Sequence, residues 1–145
     1  MKRSFFRKRI IALRERLADI SPDTLWIIQP ENRRYLSGFR AADSQLNESS
    51  GSLLINERDA LLVTDSRYTI EAQKEAVDFE VITLKKGLIE DLPDLLIRLR
   101  TRNLGFEEDF LTWGPHQQLL KKLKRRLIFS KMQTLPDLKS PLRRS

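Results

Sequence analysis

The chain has 145 residues, of which 40% are hydrophobic and 32% are charged, and its formal net charge is +7 at pH 7. This composition predicts a single globular domain. The chain contains no cysteine, which excludes disulfides and thiolate zinc sites and favours a reducing compartment, the cytoplasm. No apolar run approaches the roughly 20 residues of a membrane helix, so no membrane association is expected.

The positive charge is concentrated at the two ends of the chain. Residues 1–20 carry seven basic and two acidic side chains, residues 120–145 carry nine and one, and the residues between them carry eleven and seventeen. A basic helical surface could bind phosphates through counterion release, so a nucleic-acid-binding module is an alternative function. The acidic middle and the core-like spacing of Phe5, Phe6 and Phe129 argue against it and favour a solvated or partner-facing surface.

The first third of the chain predicts a helix, a strand and a second, short helix. An apolar stripe at steps of four, three and four residues indicates the first helix: Phe6, Ile10, Leu13 and Leu17. Residues 24–29 are bulky, rich in β-branched side chains and bounded by prolines, as in a buried strand. Residues 31–36 predict the short helix, which Gly38 closes because glycine tolerates a left-handed cap. A polar loop over residues 40–51 follows.

The next segment predicts a β-hairpin and a third helix. Residues 52–56 and 60–64 are apolar strands separated by a short turn at 57–59. Asp65 or Ser66 is expected to cap the following helix by accepting hydrogen bonds from its free N–H groups. Residues at four-residue spacing would line the inner face of that helix: Tyr68, Ala72 and Ala76.

The remaining elements continue the alternation of strands and helices. Residues 79–84 and 103–107 predict strands, and a leucine-rich helix lies between them, with Pro93 expected near its start. A further helix capped by Thr112, with Leu119, Leu120 and Leu123 facing inward, and a strand at 127–130 complete the domain. This order predicts an α/β fold with a mixed sheet of about six strands and helices on both faces.

Several short motifs, in a specific order and spacing, carry a resemblance to a known family. The first runs from Asn32 through Tyr35 and Leu36-Ser37-Gly38 to Phe39, the second is Asp65-Ser66-Arg67-Tyr68, and the third is Asn103-Leu104-Gly105-Phe106-Glu107. Together they resemble the N-terminal domain of the creatinase/prolidase/aminopeptidase P (Xaa-Pro peptidase) family. The residues that carry the resemblance are expected to serve mainly structural roles, as turn, cap, ion pair and packing groups: Asn32, Tyr35, Gly38, Phe39, Asp65, Arg67 and Tyr68.

The resemblance implies a ribonuclease-H-like topology and a role beside an active site. Residues 1–133 would form the N-terminal domain, and residues 134–145 would begin the linker to a C-terminal catalytic domain that this chain lacks. In the family this domain serves dimer assembly, here a homodimer, and gating of the partner subunit's active site. Arg40 is the candidate residue for reaching substrate. The parent enzymes hold two divalent metal ions in the catalytic domain, so no catalytic residue, metal ligand or cofactor is expected in this chain.

Other chemistry has less support in the sequence. His116 is the only histidine, and a metal site needs several converging ligands. Ser66 has no base beside it, which argues against a nucleophilic triad. Carboxylates at strand ends, namely Asp65 and the run Glu107, Glu108 and Asp109, could hold two metal ions for phosphodiester cleavage. A carboxylate-metal nuclease is therefore a second, weaker alternative.

Overall fold

The computed structural model describes residues 2–19, 22–40, 51–106 and 131–134. Within these residues there are four helices and six strands. Their bounds in chain order are α1 Lys2–Leu17, β1 Thr24–Ile27, α2 Pro30–Ser37, β2 Gly51–Ile55, β3 Ala60–Thr64, α3 Thr69–Glu75, β4 Glu80–Thr83, α4 Leu88–Arg98, β5 Asn103–Phe106 and β6 Lys131–Thr134.

The six strands form one mixed sheet in the order β4-β3-β2-β1-β5-β6. Strands β1, β2 and β3 are antiparallel neighbours, with Leu25 opposite Ile55 in the β1–β2 pair. The pairs β3–β4, β1–β5 and β5–β6 are parallel, with Thr24 opposite Leu104 in the β1–β5 pair. An antiparallel meander followed by parallel strands matches the predicted ribonuclease-H-like α/β fold, which is confirmed.

The sheet has a hydrophobic core on each face. The first core joins α1, α2 and α3 to alternate residues of the central strands: Ile10, Leu13, Leu17, Leu25, Ile27, Leu36, Phe39, Leu53, Ile55, Leu62, Ala72, Ala76 and Phe79. The second joins α4 to the opposite side: Trp26, Ile28, Leu54, Leu61, Val63, Leu92, Leu95, Leu96, Leu99, Leu104 and Phe106. Because successive strand residues point to opposite faces, strands buried on both sides read as continuous apolar runs. Helices on both faces are thus confirmed.

The short helix α2 begins and ends as its sequence predicts. Pro30 occupies the first turn, where a missing N–H costs no helical hydrogen bond. Gly38 follows the helix with φ of 83°, in the left-handed region, and its N–H donates to the Arg34 carbonyl at 2.9 Å. A Cβ atom at this position would lie 3.0 Å from the Phe6 ring of α1. Both the backbone conformation and the close approach of α1 therefore require glycine here.

Helix α4 differs from its prediction at Pro93, which lies inside the helix rather than close to its start. The helix begins at Leu88 because Asp91 fixes the preceding loop: its Oδ2 accepts the amide N–H groups of Lys85 at 2.7 Å and Lys86 at 3.0 Å. Burial disfavours the ionised form of Asp91, but donation from these amides outweighs it and lowers the pKa. Pro93 then removes only the single hydrogen bond to the Ile89 carbonyl.

The last described strand, β6, runs from Lys131 to Thr134 in parallel register with β5. The strand predicted at 127–130 lies outside the described residues and stays a prediction. The predicted helix with Thr112, Leu119, Leu120 and Leu123 also lies outside the described part of the chain. The boundary between a domain over residues 1–133 and a linker over 134–145 stays a prediction.

Candidate functional site

Two of the sequence motifs meet at the side chain of Phe39. The ring of Phe39 is fully buried, directly after α2 and its Gly38 cap. Tyr68, from the second motif, packs against it edge to face, with 6.5 Å between ring centroids and 69° between ring planes. The fold therefore brings together two segments that are about thirty residues apart, and the contact between them is aromatic packing.

Arg33 completes this cluster, and its role is not evident from the sequence motif. Its side chain is only 1% exposed, its Nη1 donates to the Gly51 carbonyl at 3.1 Å, and its guanidinium carbon lies 5.2 Å from the centroid of the Phe39 ring. Helical spacing is the sequence feature that indicates its burial, because Arg33 precedes the buried Leu36 and Ser37 by three and four residues and therefore shares their face. Arg33 thus joins α2 to the start of β2.

Tyr35 lies on another side of α2, where it contacts α1. The guanidinium of Arg9 lies 3.9 Å from the centroid of the Tyr35 ring and donates from Nη1 to the Tyr35 carbonyl at 2.8 Å. Phe5 covers the guanidinium from α1 itself, at 4.2 Å. Asn32 also lies in α2 and is partly buried. These contacts are those of a helix–helix interface.

Arg40 is placed at the surface, directly after the buried Phe39. Its backbone N–H donates to Oε1 of Glu75, at the end of α3, at 2.8 Å. Its side chain is exposed. The backbone of Arg40 is therefore held by the buried Phe39 that precedes it and by the Glu75 carboxylate, while its side chain is exposed.

The predicted helix cap at Asp65 or Ser66 is wrong. Helix α3 begins at Thr69, and its N-cap is Tyr68, with no side-chain cap hydrogen bond. The Asp65 carboxylate instead accepts the backbone N–H of Arg67 at 2.8 Å and its guanidinium Nε and Nη2 at 3.2 and 2.9 Å. The Asp65 side chain thus stabilises a turn before the helix, because its oxygens accept hydrogen bonds from Arg67 and not from the N–H groups of the helix. The expected ion pair between Asp65 and Arg67 is present.

This geometry also bears on the metal-dependent alternatives. Both oxygens of Asp65 are engaged by Arg67, and Glu107, Glu108, Asp109 and His116 lie outside the described residues. In the described part of the chain, no group of three or more His, Cys, Asp or Glu side chains is arranged to hold a metal ion. No helix among these residues is both long and apolar enough to cross a membrane.

The Asp65–Arg67 pair makes stability depend on pH. The side-chain hydrogen bond from Arg67, only partly opposed by burial, lowers the pKa of Asp65 below its ordinary 3.8. A depressed folded-state pKa contributes stability above the unfolded pKa, and that contribution is lost as the pH falls through the folded value. We expect Asp65→Asn to lose stability at pH 7 and to match the wild-type chain more closely near pH 2, in urea unfolding monitored by circular dichroism. An equal loss at both pH values would contradict this account.

The fold and the motif contacts together define a class of protein: an α/β domain of ribonuclease-H-like topology whose motif residues Phe39, Tyr68, Asp65 and Arg67 make packing and turn contacts. The sequence matches the Creatinase/Prolidase N-terminal domain over residues 9–137. The chain therefore belongs to that family.

Individual relatives agree with this assignment. The chain is 30% identical over 104 residues to the uncharacterized peptidase YqhT of Bacillus subtilis (strain 168), covering 72% of this chain and 28% of YqhT. Its structure resembles the Xaa-Pro dipeptidase from Bacillus anthracis, with a TM-score of 0.80 and 25% identity over 95% of this chain and 36% of that one. It also resembles the N-terminal domain of the cytoplasmic peptidase PepQ from Mycobacterium tuberculosis H37Rv, with a TM-score of 0.76 and 27% identity, covering 93% and 98% of the two chains.

The coverage of these relatives is uneven. The chain spans less than a third of YqhT and about a third of the B. anthracis enzyme. It spans nearly all of the PepQ fragment, which is an N-terminal domain by itself. The similarity thus concerns one domain of longer peptidases.

Proposed function

We propose that this chain is the non-catalytic N-terminal domain of a cytoplasmic Xaa-Pro peptidase, and that it serves dimer assembly and gating of the partner subunit's active site. The family match and the names of the relatives, a Xaa-Pro dipeptidase and a cytoplasmic peptidase, support this function. Catalysis belongs to a C-terminal domain with two divalent metal ions, which corresponds to the part of each longer relative that this chain does not span.

The observation that carries the gating role is the placement of Arg40. A residue that reaches across to another subunit needs a fixed backbone and a free side chain. Arg40 has both, because the preceding Phe39 is buried and Glu75 accepts the Arg40 N–H, while the Arg40 side chain is exposed. A guanidinium in this position can bind the carboxylate of a peptide substrate with two parallel hydrogen bonds.

A chimaera tests the assignment. Residues 1–145 would replace the matching N-terminal domain of the B. anthracis Xaa-Pro dipeptidase, and hydrolysis of an X-Pro dipeptide would be measured with added Mn²⁺. We expect the chimaera to be a dimer by sedimentation velocity and to be active. Arg40→Ala in it should lower kcat/KM by about 10- to 150-fold, mainly through KM, because a charge-assisted hydrogen bond contributes about 1.5–3 kcal/mol.

The matched control is Arg34→Ala, which removes an exposed arginine from α2. It should leave kcat/KM unchanged within about twofold. The chain alone should show no metal-dependent hydrolysis. Turnover by the isolated chain would refute the non-catalytic role, a monomeric chimaera would refute the assembly role, and equal effects of the two arginine variants would refute gating by Arg40.

A further inference from the structure

A cavity of about 390 Å³ lies beside α1. It is bordered by α1, by the turn between β2 and β3, and by the connection from α3 to β4. Three arginines line it, Arg7 and Arg14 from α1 and Arg58 from the β2–β3 turn. The cavity is separate from Arg40 and the motif residues, so its role does not depend on the proposed function.

One of the three arginines is held by a hydrogen bond, and the other two are exposed. Arg14 donates from Nε to the Asn56 carbonyl at 2.8 Å, which holds the side chain along the turn. Arg58 is exposed, at the tip of the same turn. Arg7 is also largely exposed, and its Nη2 lies 3.7 Å from Oδ1 of Asp78. This distance is too long for a hydrogen bond, so the pair orients Arg7 without consuming its donors.

Asp78 is the one acidic side chain in the lining. Its side chain is 8% exposed, and its Oδ2 is buried with no hydrogen-bond partner among the described residues. A buried carboxylate close to Arg7 offsets one of the three positive charges, which leaves the cavity with a net positive charge of two. An anionic ligand is therefore favoured.

The edge of the cavity is apolar as well as basic. Ile11 of α1 is 48% exposed and Val77, before β4, is 46% exposed, and both line the cavity. Large aliphatic side chains left half in water beside a cavity can be buried by a ligand that brings its own apolar group. A nucleic acid or an inorganic phosphate offers no aliphatic side chain, whereas a peptide offers both an aliphatic side chain and carboxylates.

We propose that this cavity is a docking site for an acidic peptide segment of a partner protein, with one aliphatic side chain between Ile11 and Val77 and flanking carboxylates on Arg7, Arg14 and Arg58. The net positive charge of the cavity favours the carboxylates of the peptide, and the half-exposed Ile11 and Val77 favour an aliphatic side chain at its centre. Binding of this kind uses paired guanidinium hydrogen bonds at the rim and a desolvated apolar centre.

The test uses the full 145-residue chain and a fluorescein-labelled peptide, Glu-Asp-Leu-Asp-Glu with both termini blocked, followed by fluorescence anisotropy at low salt. We expect saturable binding that weakens as salt is added, because the rim contacts are ionic. Replacing the central leucine of the peptide by glycine should weaken binding about tenfold. Arg58→Glu in the chain should weaken it about tenfold, because the change replaces an attraction with a repulsion.

The matched control is Arg34→Glu, which makes the same change of charge on α2, outside the cavity lining. It should change affinity less than twofold. Equal losses for Arg58→Glu and Arg34→Glu would show that only the net charge matters and would overturn the site. Equal affinity for the glycine peptide, or stronger binding of a short DNA duplex, would overturn the peptide specificity. Absence of binding at millimolar peptide would overturn the proposal as a whole.

Discussion

Replacing Trp26 by alanine is expected to lower the free energy of unfolding by roughly 3–5 kcal/mol, the range for a large buried aromatic residue. Trp26 lies in the central strand β1 and is 1% exposed, and it packs in the core that α4 covers. Its Nε1 donates to Oγ of Ser52 in β2 at 3.1 Å. The alanine variant would lose the apolar contacts, leave a cavity and remove the donor to Ser52 at the same time.

Urea unfolding monitored by far-ultraviolet circular dichroism would measure this loss. A domain of this size has a free energy of unfolding of about 5–15 kcal/mol, so the loss is a large share of the total at the lower end of that range. Measurement near 15 °C, close to the usual temperature of maximum stability, keeps the alanine variant folded in the absence of urea. Trp26→Phe and Ser52→Ala separate the causes: the first keeps most of the apolar volume, and the second removes only the acceptor. Each of these two variants should lower the free energy of unfolding by about 1–3 kcal/mol. A loss below about 1 kcal/mol for Trp26→Ala would contradict the described packing.

Arg33→Ala is expected to lower the free energy of unfolding by about 2–4 kcal/mol, although arginine is usually a surface residue. A hydrogen bond from a charged group contributes about 1.5–3 kcal/mol, and a desolvated cation–π contact adds up to about 2 kcal/mol. Arg33 makes both, to the Gly51 carbonyl and to the Phe39 ring. Loss of its side chain also leaves empty space beside Phe39, in the interior.

The neighbouring arginine provides the control. Arg34 is exposed on the same helix, so Arg34→Ala should change the free energy of unfolding by less than about 0.5 kcal/mol. Arg33→Lys keeps the charge but loses the planar guanidinium that lies against the ring, and should therefore fall between the two. Thermal and urea unfolding of the three variants would provide the comparison. Similar losses for the two alanine variants would show that Arg33 is not buried as described.

Apolar spacing was sufficient to predict most of the fold, because burial imposes the period of each element on the sequence. The stripe of Ile10, Leu13 and Leu17 is buried in α1, and the two apolar runs around residues 57–59 pair as a hairpin. Gly38 marked the end of α2 because few other residues adopt its backbone conformation. The relation of these elements to one another, including helices on both faces, followed from their order along the chain.

The side-chain contacts that join these elements could not be predicted in the same way. Helical spacing distinguishes Arg33 from the adjacent Arg34, but the partners of Arg33, the Phe39 ring and the Gly51 carbonyl, meet it only in the folded chain. Asp65 is of a residue type that commonly caps helices, but in the structure its oxygens accept hydrogen bonds from Arg67, and the helix begins at Thr69. The basic cavity combines α1 with a turn about fifty residues later, a juxtaposition that no local pattern contains.

The central position of β1 has a consequence for synthesis on the ribosome. One edge of β1 pairs with β2, which follows closely in the sequence, but the other edge pairs with β5, which is complete only at Phe106. A nascent chain that ends before β5 leaves the N–H and C=O groups on one edge of β1 unpaired. Because β1 is apolar and is buried only in the complete domain, this edge is of the kind that recruits other chains. Between translation of Ile27 and of Phe106, this edge of β1 is therefore open to pairing with other chains.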